Sequence, residues 1–337
     1  STATLSIASP TESESGLYTL RIANSLGEIT SHPVVVNIVP NPGAIADGFA
    51  PAASGTPNVN HILPETGGAH LYGSFFLVHP SGTLNNYFER VDDNGAIKAP
   101  FTASSNQAVQ DLARDSAGRL VLVGFNFFFD GSSGRRIVRV ANDGGTDTAF
   151  NSNAAATGIS SCTAVAIDNS DRPLIGTTGQ LWRLNGDGTL DTAFTTPVNF
   201  YVREIIVAPD DKIYVCGDRS ILRLNADGTL DTTFTLDPSV PTEPKFSHFA
   251  LANDGQLIVA TADFTNQNIY RFSPSGSLEA TIPFDYSTYL LIGALALQAD
   301  GKILVGHNQG ARLTRLLADG NPDPNFDLGT GFNSSVS

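Results

Sequence analysis

The chain has 337 residues and a net charge of −14; 41% of its residues are hydrophobic and only 15% are charged. This composition indicates a folded chain with room for a large core, and it excludes an intrinsically disordered protein. The acidity argues against nucleic acid as a partner, because phosphate binding needs clustered Lys and Arg. No apolar run reaches the roughly 18 residues of a membrane-spanning helix.

Residues 1–40 predict three strands. ATLSIAS alternates like a strand, and ESGLYTLRIANSLGEITSHPVVVNIV predicts strand, turn and strand, with the turn at Asn24–Gly27. This segment resembles the last three strands of a bacterial immunoglobulin-like domain, through Glu14, Ser15, Gly16, Tyr18, Ala23, Asn24, Ser25 and Gly27. The resemblance implies that Tyr18 forms a tyrosine corner. We expect that the rest of the sandwich was removed, or that this piece docks on something else.

Residues 41–337 are dominated by a repeat. Each copy has an Arg, a glycine-bearing turn and a closing apolar residue, as in RLNGDGTLDTAF from Arg183. The copies begin at Arg90, Arg139, Arg183, Arg223, Arg271 and Arg315. The intervals of 40 to 49 residues are typical of β-propeller blades. Leucine-rich and helical repeats are excluded, since 3.6-residue periodicity is lacking.

One copy shows the predicted contents of a blade. In residues 163–194, TAVAI, PLIGTT, QLWRLN and TLDTAF predict four short antiparallel strands. The fold class is therefore predicted as all-β, with four-stranded propeller blades. The blades are expected at about residues 58–101, 108–150, 162–194, 203–234, 246–284 and 293–326.

The repeat predicts a cross-strand ion pair. If the third and fourth strands form a hairpin, Leu184 faces Leu190, and each Arg faces the residue eight positions later. The predicted pairs are Arg139–Asp147, Arg183–Asp191, Arg223–Asp231, Arg271–Glu279 and Arg315–Asp323. The first copy instead places Lys98 opposite Arg90. As exposed pairs, they are expected to contribute only about 0–1 kcal/mol each and to help fix register.

An aromatic residue closes most copies, eleven residues after the Arg. These residues are Phe101, Phe150, Phe194, Phe234 and Phe326. In the fifth copy this position is Ile282, and Phe284 follows two residues later. We expect these side chains to wedge between adjacent blades.

LNADGTLDTTF (224–234) and ADGKILVG (299–306) resemble the delta-60 repeat β-propeller family of bacterial surface and secreted proteins. The likeness covers roughly residues 43–337. It implies a propeller fold and a location at the cell surface or outside the cell, and it implies little about activity.

The two ends of the repeat region suggest an additional blade. GAIADGF at 43–49 matches a fourth strand alone, and TGFNSSVS at 330–337 matches TGISSCTA at 157–164. We therefore expect a seven-bladed ring in the parent protein, with three strands of the closing blade after Ser337. A six-bladed ring is the alternative, and a second polypeptide could complete the open blade.

The sequence offers little evidence for a metal or cofactor. Asn185, Asp187 and Asp191 partly match a calcium loop, but Arg183 and Phe194 fall on ligand positions, which favours a plain hairpin turn. His61, His70 and His79 lack a recognised zinc spacing. No cofactor is predicted. Cys162 and Cys216 are interpreted as buried thiols, with a bridge between neighbouring blades as the alternative.

Aromatic residues provide the best sequence-based indication of a binding surface. Four precede DGSSG in an expected loop between the second and third strands of the second blade: Phe125, Phe127, Phe128 and Phe129. They could plug between blades or form a patch for a partner. Tyr286 and Tyr289 near the last blade give a weaker indication, and such rings could stack on sugars.

Three functions remain open from the sequence. The first is a non-catalytic extracellular module of a large bacterial surface protein, acting in adhesion or assembly with other domains or other copies of that protein. The second is a carbohydrate-binding propeller. The third is a secreted polysaccharide hydrolase or lyase that uses the central channel, although no catalytic motif is recognisable.

Overall fold

The computed structural model describes the backbone of fifteen segments of the chain. They are residues 16–18, 21–24, 27–30, 34–36, 59–65, 68–78, 84–92, 109–129, 132–217, 220–240, 246–261, 267–284, 292–298, 300–307 and 313–326. Side chains are described for residues 63, 90 and 92, for residues 109–125, and within these segments from residue 134 onward, except Ser247. The predicted strands at 43–49 and 330–337 lie outside these residues, as do Lys98, Phe101, Tyr286 and Tyr289.

The N-terminal region forms two antiparallel pairs. Strand β1 (Gly16–Tyr18) pairs with β4 (Val34–Val36), and β2 (Arg21–Asn24) pairs with β3 (Gly27–Thr30). Asn24 lies opposite Gly27, so the β2–β3 turn falls where the sequence predicts it.

Six antiparallel sheets follow in chain order, and within each sheet consecutive strands are neighbours. The first three contain β5 (Val59–Glu65), β6 (Gly68–Val78), β7 (Leu84–Val91); β8 (Asp111–Arg114), β9 (Leu120–Phe129), β10 (Ser132–Val140); and β11 (Cys162–Ile167), β12 (Pro173–Thr177), β13 (Leu181–Arg183). The last three contain β14 (Val202–Val207), β15 (Ile213–Gly217), β16 (Ile221–Leu224); β17 (Phe246–Leu251), β18 (Leu257–Thr261), β19 (Asn268–Phe272), β20 (Leu278–Pro283); and β21 (Ile292–Leu297), β22 (Ile303–His307), β23 (Leu313–Leu316).

The prediction of a fourth strand is wrong for most of the described copies. Among the sheets whose expected fourth strand the structure describes, only the fifth has one, β20; in the third sheet the expected strand shrinks to one bridge, Leu184↔Leu190. The physical reason is Asp191, the residue that follows the bridge. The Asp191 carboxylate accepts from Ala193 N at 3.1 Å, and Phe194 N donates to the Asp191 carbonyl at 3.2 Å. These local bonds turn the chain away from the sheet.

The second copy ends in a helix instead of a strand. Helix α1 (Thr148–Ala156) is capped by Asp147, whose Oδ1 accepts from Phe150 N at 3.1 Å. Its nine residues would be marginal alone. Phe150 and Asn151 are buried, and Asn151 Oδ1 accepts from Arg139 N at 2.6 Å, so packing on β10 holds the helix. The described residues contain no helix with the length and apolar content of a membrane span.

The hydrophobic core is divided into layers between successive sheets. One layer joins Val121 and Val123 of β9 to Ile175 of β12, and another joins Leu174 of β12 to Val215 of β15. The first strands of neighbouring sheets also contact each other, as β8 contacts β11 and β11 contacts β14. Each sheet therefore packs face to face on the next, with its first strand at a shared edge.

Candidate functional site

The structure brings the repeat Arg and its Asp together in four copies. In the third copy Arg183 Nε donates to Asp191 Oδ2 at 2.8 Å, and the guanidinium stacks on Phe194 at 4.2 Å. The corresponding groups are Arg139, Asp147 and Phe150; Arg223, Asp231 and Phe234; and Arg315, Asp323 and Phe326. Each Arg is thus enclosed by an acid and a ring of its own copy.

The sequence did not predict that this Arg reaches the next sheet. Arg139 Nη1 donates to the Gly186 carbonyl at 2.7 Å, and Arg183 Nη1 donates to the Ala226 carbonyl at 2.5 Å. The turn glycine lies on the aromatic ring of the preceding copy: at Gly188, where φ is +89°, a Cβ would stand 2.5 Å from the Phe150 carbonyl oxygen. The Arg, the Phe and the turn together join adjacent sheets.

The arginines of these ion pairs are buried, as are Asp231 and Asp323, contrary to the expectation of exposed pairs. The exposed fractions of Arg183 and Arg223 are 5% and 9%. Burial alone would raise the pKa of Asp191, but the hydrogen bond from Arg183 and the N–H of Ala193 hold it below its usual value. The pairs therefore belong to the core, where losing one partner leaves an uncompensated charge.

The fifth copy does not form the predicted pair. A register shift between Arg271 and Phe272 places Ala280 opposite Arg271, and Glu279 becomes an extra residue of a β-bulge. Glu279 Oε2 instead accepts from Gln256 Nε2 at 2.9 Å, while Arg271 donates to the Ala318 carbonyl. The eight-residue offset fails here because it counts residues and ignores the bulge.

A cavity with chemically varied lining residues lies along the first strands of four successive sheets. This inner pocket of about 390 Å³ is lined by Asp111, Thr163, Val165, Tyr201, Arg203, Glu204, Ile205 and His248. It is within the size range of small-molecule sites. Asp111, Glu204 and His248 share one register position. They face Val123, Cys216 and Ala260, each of which is the fourth residue of the second strand of its sheet.

The copies differ at that register position. It is occupied by His61, Asp111, Ala164, Glu204, His248 and Ala294 in the six sheets. The next position along the strand is apolar in all six sheets: Ile62, Leu112, Val165, Ile205, Phe249 and Leu295. The variation is visible in the sequence when the copies are aligned at the bulge that precedes this position, and it is not visible from the spacing of the Arg turns.

Two carboxylates of the inner pocket join sheets through equivalent bonds. Asp111 Oδ2 accepts from Val165 N of the third sheet at 2.8 Å, and Glu204 Oε2 accepts from Phe249 N of the fifth sheet at 3.0 Å. Each bond satisfies an N–H on the edge of a first strand. Part of the acidity of the pocket is thus structural.

Glu204 is poised to hold a proton. Burial raises its pKa to about 8, the negative charge of Asp111 acts in the same direction, and the Phe249 N–H only partly opposes them. The bond to Phe249 uses Oε2, and Oε1 has no hydrogen-bond partner among the described residues. At neutral pH the protonated Glu204 can donate one hydrogen bond into the pocket.

An aromatic ring and a cation border the same pocket. The Arg203 guanidinium lies 5.4 Å from the centre of the half-buried Tyr201 ring. The pocket therefore combines a ring face with hydroxyl, guanidinium and carboxyl groups.

The predicted aromatic surface is only partly described. Phe125 is 45% exposed. Phe125, Phe127, Phe128 and Phe129 lie in strand β9 itself, so placing them in a loop was wrong: β9 and β10 extend as a hairpin in which Phe129 faces Ser132. The side chains of the last three lie outside the described residues.

The cysteines are buried, and the turn acid Asp187 forms hydrogen bonds within its own turn. Cys162 and Cys216 are buried free thiols, and burial raises the pKa of Cys162 to about 12. Asp187 Oδ1 accepts from Thr189 N and Oγ1, as a hairpin turn requires. No cluster of three or more His, Cys, Asp or Glu side chains in the described residues is arranged to hold a metal.

Comparison with known proteins supports a propeller. Residues 175–194, 208–234 and 298–326 match a family model described as "Domain of unknown function (DUF5122) beta-propeller". No curated protein is similar enough to this chain to count as a match.

Solved structures with the same architecture are distant in sequence. The extracellular domain of a candidate one-component system from B. thetaiotaomicron is 16% identical with a TM-score of 0.56; the match covers 82% of this chain and 34% of that one, so this chain spans about a third of its length. Streptogramin B lyase is 16% identical, TM-score 0.56, with 82% and 88% covered. Virginiamycin B lyase from Staphylococcus aureus is 12% identical, TM-score 0.55, with 80% and 84% covered.

Identities this low show a shared fold and carry no activity across. The six small antiparallel sheets, the family match and these neighbours together identify an all-β fold of the propeller type.

Proposed function

We propose that this chain is a non-catalytic extracellular interaction module of a bacterial surface or secreted protein, acting in adhesion or assembly. The observation that carries the proposal is that the repeated Arg and Asp side chains have structural roles. The Arg and Asp of four copies are spent on joining sheets, as Arg183 joins Asp191 to the Ala226 carbonyl, so the repeat builds a scaffold. The net charge of −14 suits a soluble surface module.

We propose further that the scaffold is a seven-bladed ring of the delta-60 type, preceded by immunoglobulin-like strands. Six described sheets in unbroken chain order and the β2–β3 hairpin support this. An experimental structure of the chain would test it. Residues 43–49 paired on the edge of an incomplete blade are expected, and the same residues packed away from the ring would refute it.

The inner pocket is the recognition site in this proposal, and its ligand is a carbohydrate. Sugars are commonly held by a ring face together with groups that donate and accept hydrogen bonds. Tyr201 provides the ring, and Arg203, Glu204 and Asp111 provide the polar groups. The raised pKa of Glu204 favours its protonated form, which can donate to a sugar oxygen.

Binding on a glycan array followed by calorimetry tests this assignment. We expect at least one glycan to bind, with an affinity reduced tenfold or more by Tyr201→Ala, and no change in the glycan during incubation. Phe125→Ala is the matched control, since it removes an exposed ring outside the pocket. Glycan binding that depends on Phe125 and not on Tyr201 would move the site away from the inner pocket.

A secreted hydrolase or lyase is the second candidate, because a carboxyl group with a pKa of about 8 beside a second carboxylate is the arrangement of a general acid and its partner. Incubation with polysaccharides distinguishes the two. Turnover abolished by Glu204→Gln would establish the enzyme, whereas binding without turnover in the wild type would establish the interaction module.

A further inference from the structure

A second cavity lies between the fifth and sixth sheets, where the fifth copy departs from the repeat. This junction pocket has a volume of about 440 Å³ and is lined by the β17–β18 turn, Arg271, Gln298 and Ala318. The volume falls within the range of about 300–1,000 Å³ typical of ligand sites.

The junction pocket opens where the usual partners of the repeat Arg are missing. Ala280 occupies the position opposite Arg271 at which other copies place Asp. Ile282 occupies the position of the wedge ring, since a Cβ on Gly320 of the next turn would stand 2.7 Å from Ile282 Cγ1. The guanidinium of Arg271 therefore has neither the acid nor the ring that enclose Arg139, Arg183, Arg223 and Arg315.

Two buried polar atoms of residues that line the junction pocket lack hydrogen-bond partners among the described residues. They are Arg271 Nε, a donor, and Gln298 Oε1, an acceptor. Nε is the atom that donates to the Asp in the other copies. Leaving a buried polar atom unpaired costs about 1–3 kcal/mol, so two at one cavity indicate that something else satisfies them.

The first turns of neighbouring sheets are bonded together at two junctions, and among the described residues this junction lacks such a bond. Ser116 N donates to Asp171 Oδ1 at 2.8 Å, and Asn169 Nδ2 donates to the Ala208 carbonyl at 3.1 Å. Asn253, the counterpart of Asn169, lines the junction pocket and makes no such bond within the described part of the chain. This junction therefore lacks the hydrogen bond between first turns as well as partners for the two buried polar atoms, among the described residues.

We propose that the junction pocket binds a small hydroxy acid, whose carboxylate replaces the missing aspartate at Arg271 and whose hydroxyl donates to Gln298. A guanidinium pairs best with a carboxylate, which accepts from Nε as Asp191 does from Arg183. Gln298 Oε1 accepts only, so the second ligand group must be a donor. The pocket is separate from the inner pocket and independent of the function proposed for it.

The neighbouring acids do not already serve this purpose. Asp319 lies close enough for Arg271 to help lower its pKa, but its carboxylate accepts from Asn321 N at 2.9 Å and from Asn321 Nδ2 at 3.0 Å. Asp254 lines the pocket and accepts from Gln256 N at 3.1 Å. Neither acid therefore pairs with Arg271 Nε, which has no acceptor among the described residues.

Calorimetry with D-glucuronate, and with D-glucose as its neutral counterpart, tests the proposal on the intact chain. We expect glucuronate to bind at least tenfold more tightly than glucose. Ala280→Asp should abolish glucuronate binding and raise Tm, because it supplies the aspartate within the chain. The rise in Tm separates a filled site from a misfolded protein. Arg136→Gln, which removes one positive charge from the second sheet, should leave binding unchanged.

A second comparison tests the role assigned to Gln298. Gln298→Leu should weaken glucuronate at least fivefold and leave acetate, which has no hydroxyl, unaffected. Equal affinity for glucuronate and glucose, glucuronate binding that survives Ala280→Asp, or no binding to the wild type would each overturn the proposal.

Discussion

Arg223 and Arg271 hold the same place in consecutive copies, and their surroundings are opposites. Arg223 donates to Asp231 at 2.8 Å, to Thr233 Oγ1 at 2.9 Å and to the Pro274 carbonyl at 2.5 Å, with the Phe234 ring at 5.0 Å. Arg271 donates only to the Ala318 carbonyl, and its Nε is buried without a partner in the described residues.

The contrast shows that two interactions of the repeat Arg are separable: its hydrogen bond to the turn of the next sheet and its ion pair with the acid of its own copy. Both arginines reach the turn of the next sheet, so this bond persists when the acid is lost. What disappears with the acid is the enclosure of the guanidinium. A copy that keeps the bond and loses the acid can join two sheets and still offer a cation to a ligand.

The largest expected effect comes from removing the acid where it is buried. Asp231→Ala should destabilise the chain by about 3–5 kcal/mol, because Arg223, 9% exposed, would keep its charge without a partner. Urea denaturation measures the change. A loss below 1 kcal/mol would show that the enclosure of Arg223 is energetically irrelevant.

A smaller loss of stability is expected from a substitution in the glycine turn that contacts the preceding copy. Gly228 has a φ of +92°, and a Cβ there would stand 2.7 Å from the Thr195 carbonyl oxygen, so Gly228→Ala should cost about 2–3 kcal/mol. Gly186→Ala is the matched control, since nothing lies within 4 Å of its Cβ position. Equal Tm values for the two variants would contradict the close approach between sheets.

Glu204 in the inner pocket should make the protein less stable as the pH rises. The folded pKa of Glu204 is about 8, above the ordinary 4.5, so the folded chain keeps a proton that the unfolded chain releases. Stability should therefore fall as pH rises from about 4.5 to 8. Glu204→Gln should flatten this fall and match the wild type near pH 5. Parallel wild-type and variant profiles of Tm against pH would exclude a raised pKa.

The smallest effect is expected at the acid that the sequence wrongly paired with Arg271. Glu279→Gln removes an exposed charge, and the amide oxygen can still accept from Gln256, so stability should change by less than about 0.5 kcal/mol. A loss of stability of 2 kcal/mol or more would instead support the predicted Arg271–Glu279 ion pair.

Much of the scaffold was predictable because it repeats. The 40 to 49 residue period predicted small antiparallel sheets, and the offset of eight placed an Asp beside the Arg in four described copies. The fourth strand was predicted wrongly, since alternation in TLDTAF says nothing of the Asp191 carboxylate that turns the chain after one bridge. Helix α1 was missed because Asp147 was assigned to a strand, although it also caps a helix.

The candidate sites depend on features that residue spacing does not contain. A one-residue bulge at Glu279 moves Ala280 opposite Arg271 and leaves the junction pocket unsatisfied. The inner pocket gathers Asp111, Glu204 and His248 from three different sheets, so the three residues are distant from one another in the sequence.

The sequence by itself determined the unit of this protein: an antiparallel sheet, a glycine turn and an Arg with its acid, because these interactions lie within about a dozen residues and recur. The tertiary structure alone decided how the units meet. Whether an Arg is enclosed, whether a carboxylate loses water and holds a proton, and where a cavity remains all depend on the neighbouring sheet, and burial is a property of that packing.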